Sequence, residues 1–273
     1  MFSLSLKSLI LVIVAFGIIS FLFYFAESYL GYYNIPNIIS SGIVVYLIFF
    51  LIHRTGNTIL HMDRVQLFLL LSFLSWFSAE AMYGFYSGVL NTDPYPSIAD
   101  IFYLAGYVFF VLLLWSLNKT YKIELSIFIS LLVTFSLIAF YVLYVSVFIF
   151  NVYSLSGSYL DFMLVFAYPI FDLLILISGV LYYFREKEVS LNKGYLSWLL
   201  FSACGFFFFL ADVIFGFDDL FGFTQDNHLF DLFFNIGYLM LGFAVLTRIS
   251  YLNIHSRNDW LTEQPIIPPT CEN

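Results

Sequence analysis

All ten Lys and Arg residues of this chain fall at one set of ends of its long apolar runs, and that pattern constrains the fold more than any motif. The runs lie at about 5–28, 38–53, 65–90, 98–117, 124–150, 160–184, 195–217 and 229–250. About 20 apolar residues in a helix cross the hydrocarbon core of a bilayer. With no water there to satisfy backbone groups, each run must close its hydrogen bonds within itself, as a helix. The expected fold is therefore all-α and polytopic, with eight transmembrane helices joined by short connections. Lys7, Arg54, Arg64, Lys119, Lys122, Arg185, Lys187, Lys193, Arg248 and Arg257 then share one face. Short basic loops are retained on the cytoplasmic side, which places both termini there in a multi-pass protein of the cell membrane.

Composition agrees: 62% of residues are hydrophobic and only 10% charged, against about 25% charged in a soluble globule. The net charge of −8 argues against nucleic acid as a partner. The first run has one preceding Lys and no small-residue cleavage signal, so it reads as a retained span. Cys204 lies inside a span and Cys271 in the tail, too far apart to suggest a disulfide. The outer connections are expected at Gly31 to Asn37, Asn91 to Ser97, Asn151 to Tyr159 and Asp218 to His228.

An internal repeat is visible. Ala79-Glu80-Ala81-Met82-Tyr83-Gly84-Phe85 in the third run matches Ala211-Asp212-Val213-Ile214-Phe215-Gly216-Phe217 in the seventh, at an offset of 132. Asp100-Ile101-Phe102-Tyr103 with Gly106-Tyr107 in the fourth run matches Asp231-Leu232-Phe233-Phe234 with Gly237-Tyr238 in the eighth, at an offset of 131. Carboxylates are rare in lipid, so their alignment carries weight. The expected units are residues 1–120 and 121–252, each four helices, followed by a flexible cytoplasmic tail at 253–273. An even number of spans per copy makes the repeats parallel, related by a pseudo-twofold axis along the membrane normal.

An ionisable group at a helix centre costs about 2.5–3.5 kcal/mol to insert, so Glu80, Asp100, Asp172, Asp212 and Asp231 are the candidate functional residues. All five fall in the outer half, with no Lys or Arg at that depth. Ser97-Ile98-Ala99-Asp100 reads as a capping box, and Asp231 has the same favourable position at a helix N-terminus. Glu80, Asp172 and Asp212 cannot be caps. They form either a buried polar network with Tyr83, Tyr107, Tyr168 or Tyr238, or a ligand, cation or proton site. Tyr168 and Asp172 share a helix face, and Pro169 between them frees the carbonyl of residue 165. Several chemistries are excluded by what the spans lack. They hold no Lys for a retinal Schiff base, no mid-membrane His pair for haem, no H-E-x-x-H and no Arg-rich sensor helix.

The segment Asp93-Pro94-Tyr95-Pro96-Ser97-Ile98-Ala99-Asp100-Ile101-Phe102-Tyr103-Leu104-Ala105-Gly106-Tyr107 resembles the polytopic membrane sensor region that precedes diguanylate cyclase and phosphodiesterase modules in bacterial signalling proteins. Their pattern is P-[FY]-P-S-x-A-D-x-[FY]-Y-L. Ala167-Tyr168-Pro169-Ile170-Phe171-Asp172-Leu173-Leu174 and Leu210-Ala211-Asp212 fit the same family. The resemblance implies a sensory or signal-coupling module in which Asp100, Asp172 and Asp212 occupy recurrent acidic positions. Two departures stand out: no output domain follows the eighth span, and Gly106-Tyr107 is not followed by the family's usual Pro. Signalling through a cytoplasmic or membrane partner is the corresponding expectation.

The reading is thus a non-enzymatic membrane sensor whose outward pocket is built from Glu80, Asp100, Tyr107, Asp172, Asp212, Asp231 and Tyr238, with no cofactor and the lipid bilayer as its constant partner. Three alternatives remain: a cation or proton-coupled transporter using the same carboxylates, a structural subunit of a membrane complex, and an intramembrane enzyme holding a hard divalent ion on oxygen ligands.

Overall fold

The computed structural model describes residues 34–55, 62–120, 159–189, 195–221 and 231–254, with isolated helical positions between 15 and 22 and between 135 and 146. Six long helices account for nearly all of it: α1 (Ile35–Arg54), α2 (Arg64–Phe85), α3 (Ile98–Thr120), α4 (Tyr159–Val189), α5 (Tyr195–Phe221) and α6 (Asp231–Ile254). They coincide with the second, third, fourth, sixth, seventh and eighth expected spans. The first and fifth spans lie almost wholly outside the described residues, as do the connection at 222–230 and the tail from 255 onward. Each of the six helices is long and apolar enough to cross a membrane.

Local chemistry sets the helix ends. α1 begins inside the segment expected to be a loop, at Ile35, because Pro36 in the first turn gives up an N–H that the helix does not need there. At α2, the Asp63 carboxylate accepts the Gln66 backbone N–H at 2.8 Å. Its far end passes into a π-helical turn, Tyr86–Leu90, and stops at Asn91, which adopts the left-handed conformation (φ 49°) that Asn tolerates better than most residues. The expected capping box opens α3: the Ser97 N–H donates to Asp100 Oδ2 at 2.7 Å, and the Ala99 N–H donates to Ser97 Oγ at 3.1 Å.

The chain packs as two runs of neighbours, α1–α2–α3 and α4–α5–α6, with α6 returning against α1. α3 and α4 meet through long aromatic side chains, with Tyr107 stacked on Phe171 at 5.0 Å. Phe73, Phe110, Ile48, Leu51, Ile175 and Leu241 fill the interior. Ile39, Tyr46, Ile101, Val108 and Met163 are exposed on the outside. A surface of large apolar side chains over an interior that includes acids and amides suits a lipid surround.

Without a hydrophobic force between helices in lipid, close approach depends on small residues and interhelical hydrogen bonds. Between α4 and α5, Gly179 abuts the Ser202 backbone, Gly205 abuts that of Leu176, and Ser202 Oγ donates to the Leu176 carbonyl at 3.0 Å. Between α2 and α3, the Trp76 indole lies on Gly106, whose carbonyl accepts Ser72 Oγ at 2.7 Å. Between α5 and α6, Phe208 lies on Gly237 in the same manner. The carbonyl freed by Pro169 is satisfied by Tyr144, whose hydroxyl donates to the Val165 carbonyl at 3.0 Å.

Near the ends that carry Arg54, Arg64, Arg185 and Lys187, Arg248 of α6 pairs with Glu186 of α4 at 2.7 Å. Partial exposure of both side chains limits the strength of this bridge. A double-mutant cycle with Arg248→Gln and Glu186→Gln should give a coupling of about 1 kcal/mol in detergent unfolding. A coupling indistinguishable from zero would mean that the bridge does not hold α4 to α6.

Candidate functional site

The helix ends opposite the basic residues surround a cavity with about 70 Å³ of room for water-sized occupants. A single water needs only about 10–15 Å³ on that measure, so several waters or one small ligand fit. Of the seven residues expected to form a pocket, the structure places Glu80, Asp100, Tyr107, Asp212, Asp231 and Tyr238 on its wall. Asp172 stands behind the wall, fully buried, and joins it through Tyr107 and Asp212.

Each acid reaches the interior from a different helix and is held differently. Glu80, on α2, accepts from Tyr238 of α6 at 2.8 Å and from Asn34 Nδ2 at the start of α1 at 3.0 Å. Tyr103 of α3 is also within its hydrogen-bonding reach. Asp100, on α3, combines its capping bond with a 2.6 Å bond from the Tyr168 hydroxyl of α4. Asp172, on α4, accepts from Tyr107 of α3 at 2.6 Å. These short O–H···O contacts belong to the strong class that carboxyl acceptors make.

Asp212, on α5, is the exception. It is buried, at 8% exposure. Among the described residues no amide, tyrosine or backbone group donates to it, and its hydrogen-bonding neighbour is the Asp172 carboxyl. Two carboxyl groups bond to each other only through a proton, so one acid of the pair donates to the other. Asp172 Oδ2 has no other donor among the described residues. The cavity floor therefore holds an acid pair with unused acceptor capacity, while every other buried acid of the site has Tyr, Asn or backbone donors.

The expected polar network is present, with different partners in detail. Tyr168 bonds Asp100 on α3, not Asp172 one turn away on its own helix, because a parallel neighbouring helix presents Asp100 where the hydroxyl points. Tyr83 lines the cavity. Four amides and hydroxyls escaped the sequence reading. Asn34 bonds Glu80, Asn37 Nδ2 donates to Asn34 Oδ1 at 3.0 Å, and Asn235 Nδ2 donates to Ser40 Oγ at 3.2 Å across α6 and α1. The available signal was an Asn inside or beside an apolar run, where an unpaired amide is costly.

Aromatic rings complete the wall: Trp76, Phe208, Phe215 and Phe234 all face the cavity. Trp76 meets Tyr107 edge-on at 5.1 Å and Phe208 edge-on at 5.9 Å, so these rings are fixed against one another. Among the described residues, no Lys, Arg or His lines the cavity. Among the described residues, no three His, Cys, Asp or Glu side chains gather closely enough to hold a metal ion. A concave, largely apolar pocket with a few convergent polar groups is the usual form of a small-molecule site. Comparison of the chain with protein-family models, with curated proteins and with solved structures found no match.

Proposed function

We propose that this chain is a membrane sensor module: eight spans in two parallel four-helix repeats, basic ends and both termini cytoplasmic, and an outward cavity that binds a small ligand. The repeat reading is supported by a contact that recurs at the sequence offsets. Trp76 packs on Gly106 four residues before Glu80, and Phe208 packs on Gly237 four residues before Asp212. The ring-on-glycine contact thus accompanies the acid in each unit. Ligand binding at the junction of the units would favour one relative arrangement of α1–α3 and α4–α6, and the cytoplasmic loops or tail would pass that bias to a partner.

The observation that carries the sensor reading over transport is the seal below the cavity. The cavity acids lie in the outer half and Gln66, Ser116, Tyr182 and Arg248 are buried toward the basic ends, and between the two sets the fully buried Ile48, Phe73, Phe110, Ile175 and Leu241 fill the interior. A conduction path needs polar groups or water along its whole length.

Two measurements test this. In proteoliposomes, the protein should give no flux of H⁺, Na⁺, K⁺ or ammonium above empty vesicles. Flux abolished by Asp212→Asn would replace the sensor by the transporter reading. In cells, with Cys204 and Cys271 replaced by Ser, a membrane-impermeant maleimide should label Thr92→Cys and leave Thr55→Cys untouched until the cells are opened. The reverse pattern would invert the topology.

A further inference from the structure

We propose that the cavity takes a small organic ammonium cation, seated with its charge on Asp212 and its carbon skeleton against Trp76, Phe208 and Phe215. This rests on the reading of the cavity as a ligand site and adds the chemical class of the ligand.

Charge is the first argument. Among the described residues Glu80, Asp100, Asp212 and Asp231 line the space and no basic side chain does, so an anion finds no counter-charge among them. Hydrogen-bonding capacity is the second. Glu80 and Asp100 already accept from Tyr238, Asn34, Tyr168 and the Ser97 backbone. Asp212, nine-tenths buried and on the cavity wall, has only the Asp172 carboxyl as a hydrogen-bonding neighbour among the described residues, and one shared proton leaves most of its acceptor capacity facing the cavity. The ligand that satisfies it brings donors or positive charge.

The wall material is the third argument. Phe208 and Phe215 precede and follow Asp212 by four and three residues, so on α5 they flank it on one face. The negative face of an aromatic ring attracts an alkylammonium group, most strongly where both are shielded from water. A bare divalent ion has no use for such walls. Ca²⁺ takes about six to eight oxygen ligands, and among the described residues the acids do not converge into a metal-holding group. The size of the space, about 70 Å³, suits an amine of a few carbon atoms.

The experiment is calorimetric titration of the full-length protein in detergent, with Trp fluorescence as a second readout because Trp76 is in the wall. The probes are methylammonium, choline, the uncharged choline analogue 3,3-dimethylbutan-1-ol, and Ca²⁺. Saturable binding of methylammonium or choline is expected, about tenfold or more tighter than that of the uncharged analogue. Asp212→Asn, nearly isosteric, should weaken it about tenfold or more, and Phe215→Leu should weaken choline more than it weakens methylammonium. Two variants are used so that one that fails to fold does not decide the matter. Equal binding of the uncharged analogue, ammonium binding unchanged in Asp212→Asn, or Ca²⁺ binding with no ammonium binding each overturns the ammonium assignment and leaves a ligand-binding cavity standing. If no probe binds, both the assignment and the ligand-site reading are overturned.

Discussion

Gly179→Leu is expected to prevent folding, and Gly179→Ala to destabilise the protein by about 3 kcal/mol, the upper end of ordinary overpacking costs. A Cβ built at Gly179 stands 2.6 Å from the Ser202 backbone nitrogen and 2.7 Å from its Cα, where only movement of a whole helix makes room. Separating α4 from α5 also breaks the Ser202–Leu176 hydrogen bond and disturbs the cavity floor, since Asp172 and Asp212 lie on these two helices. Gly242→Ala is the control. Its Cβ finds its nearest neighbours, Leu47 and Val44, at 3.7 Å, an ordinary contact, and alanine favours the helix by up to about 1 kcal/mol. Unfolding in mixed detergent, followed by circular dichroism, gives the comparison. Equal stability of Gly179→Ala and Gly242→Ala would mean that the two helices do not touch as described.

Glu80→Ala should cost about 3–5 kcal/mol, the range for breaking a buried charged or hydrogen-bonded group by removing one partner. Glu80 is 3% exposed and ties three helices at one point, with Tyr238 from α6 and Asn34 from the start of α1 converging on α2. Removing the acceptor strands these donors, which a water in the cavity replaces only in part, and an orphaned donor costs more than its bond contributed. Two further variants separate this cause from lost packing. Glu80→Gln keeps an acceptor oxygen for Tyr238 and should lose about 1–2 kcal/mol. The pair Glu80→Leu with Tyr238→Phe removes donor and acceptor together and should recover part of the loss seen with Glu80→Leu alone. If the double variant is as unstable as the sum of its parts, the hydrogen bond is not what holds α2 to α6.

The five acids were visible as candidates because a carboxylate inside an apolar run is expensive, and the structure brings them to one end of the bundle around one cavity. Their partners were less visible. Helical spacing suggested Tyr168 with Asp172, yet Tyr168 reaches Asp100 and Asp172 takes Tyr107, since a tyrosine hydroxyl extends past its own helix to the next. Asn34 lay in a segment expected to be a loop, and its role in holding Glu80 follows from α1 starting early at Ile35.

Helix identity and the positions of the six described helices were readable along the chain. In a bilayer every backbone group must bond within its own segment, so local apolarity alone dictates helix. Which helix neighbours which, that α6 closes against α1, and that Asp212 is paired with Asp172 emerged only when the helices were assembled. Lipid is as apolar as the side chains it touches, and thus hydrophobicity does not choose the mating faces. Glycines, ring shapes and a few interhelical hydrogen bonds make that choice, acting between residues far apart in sequence.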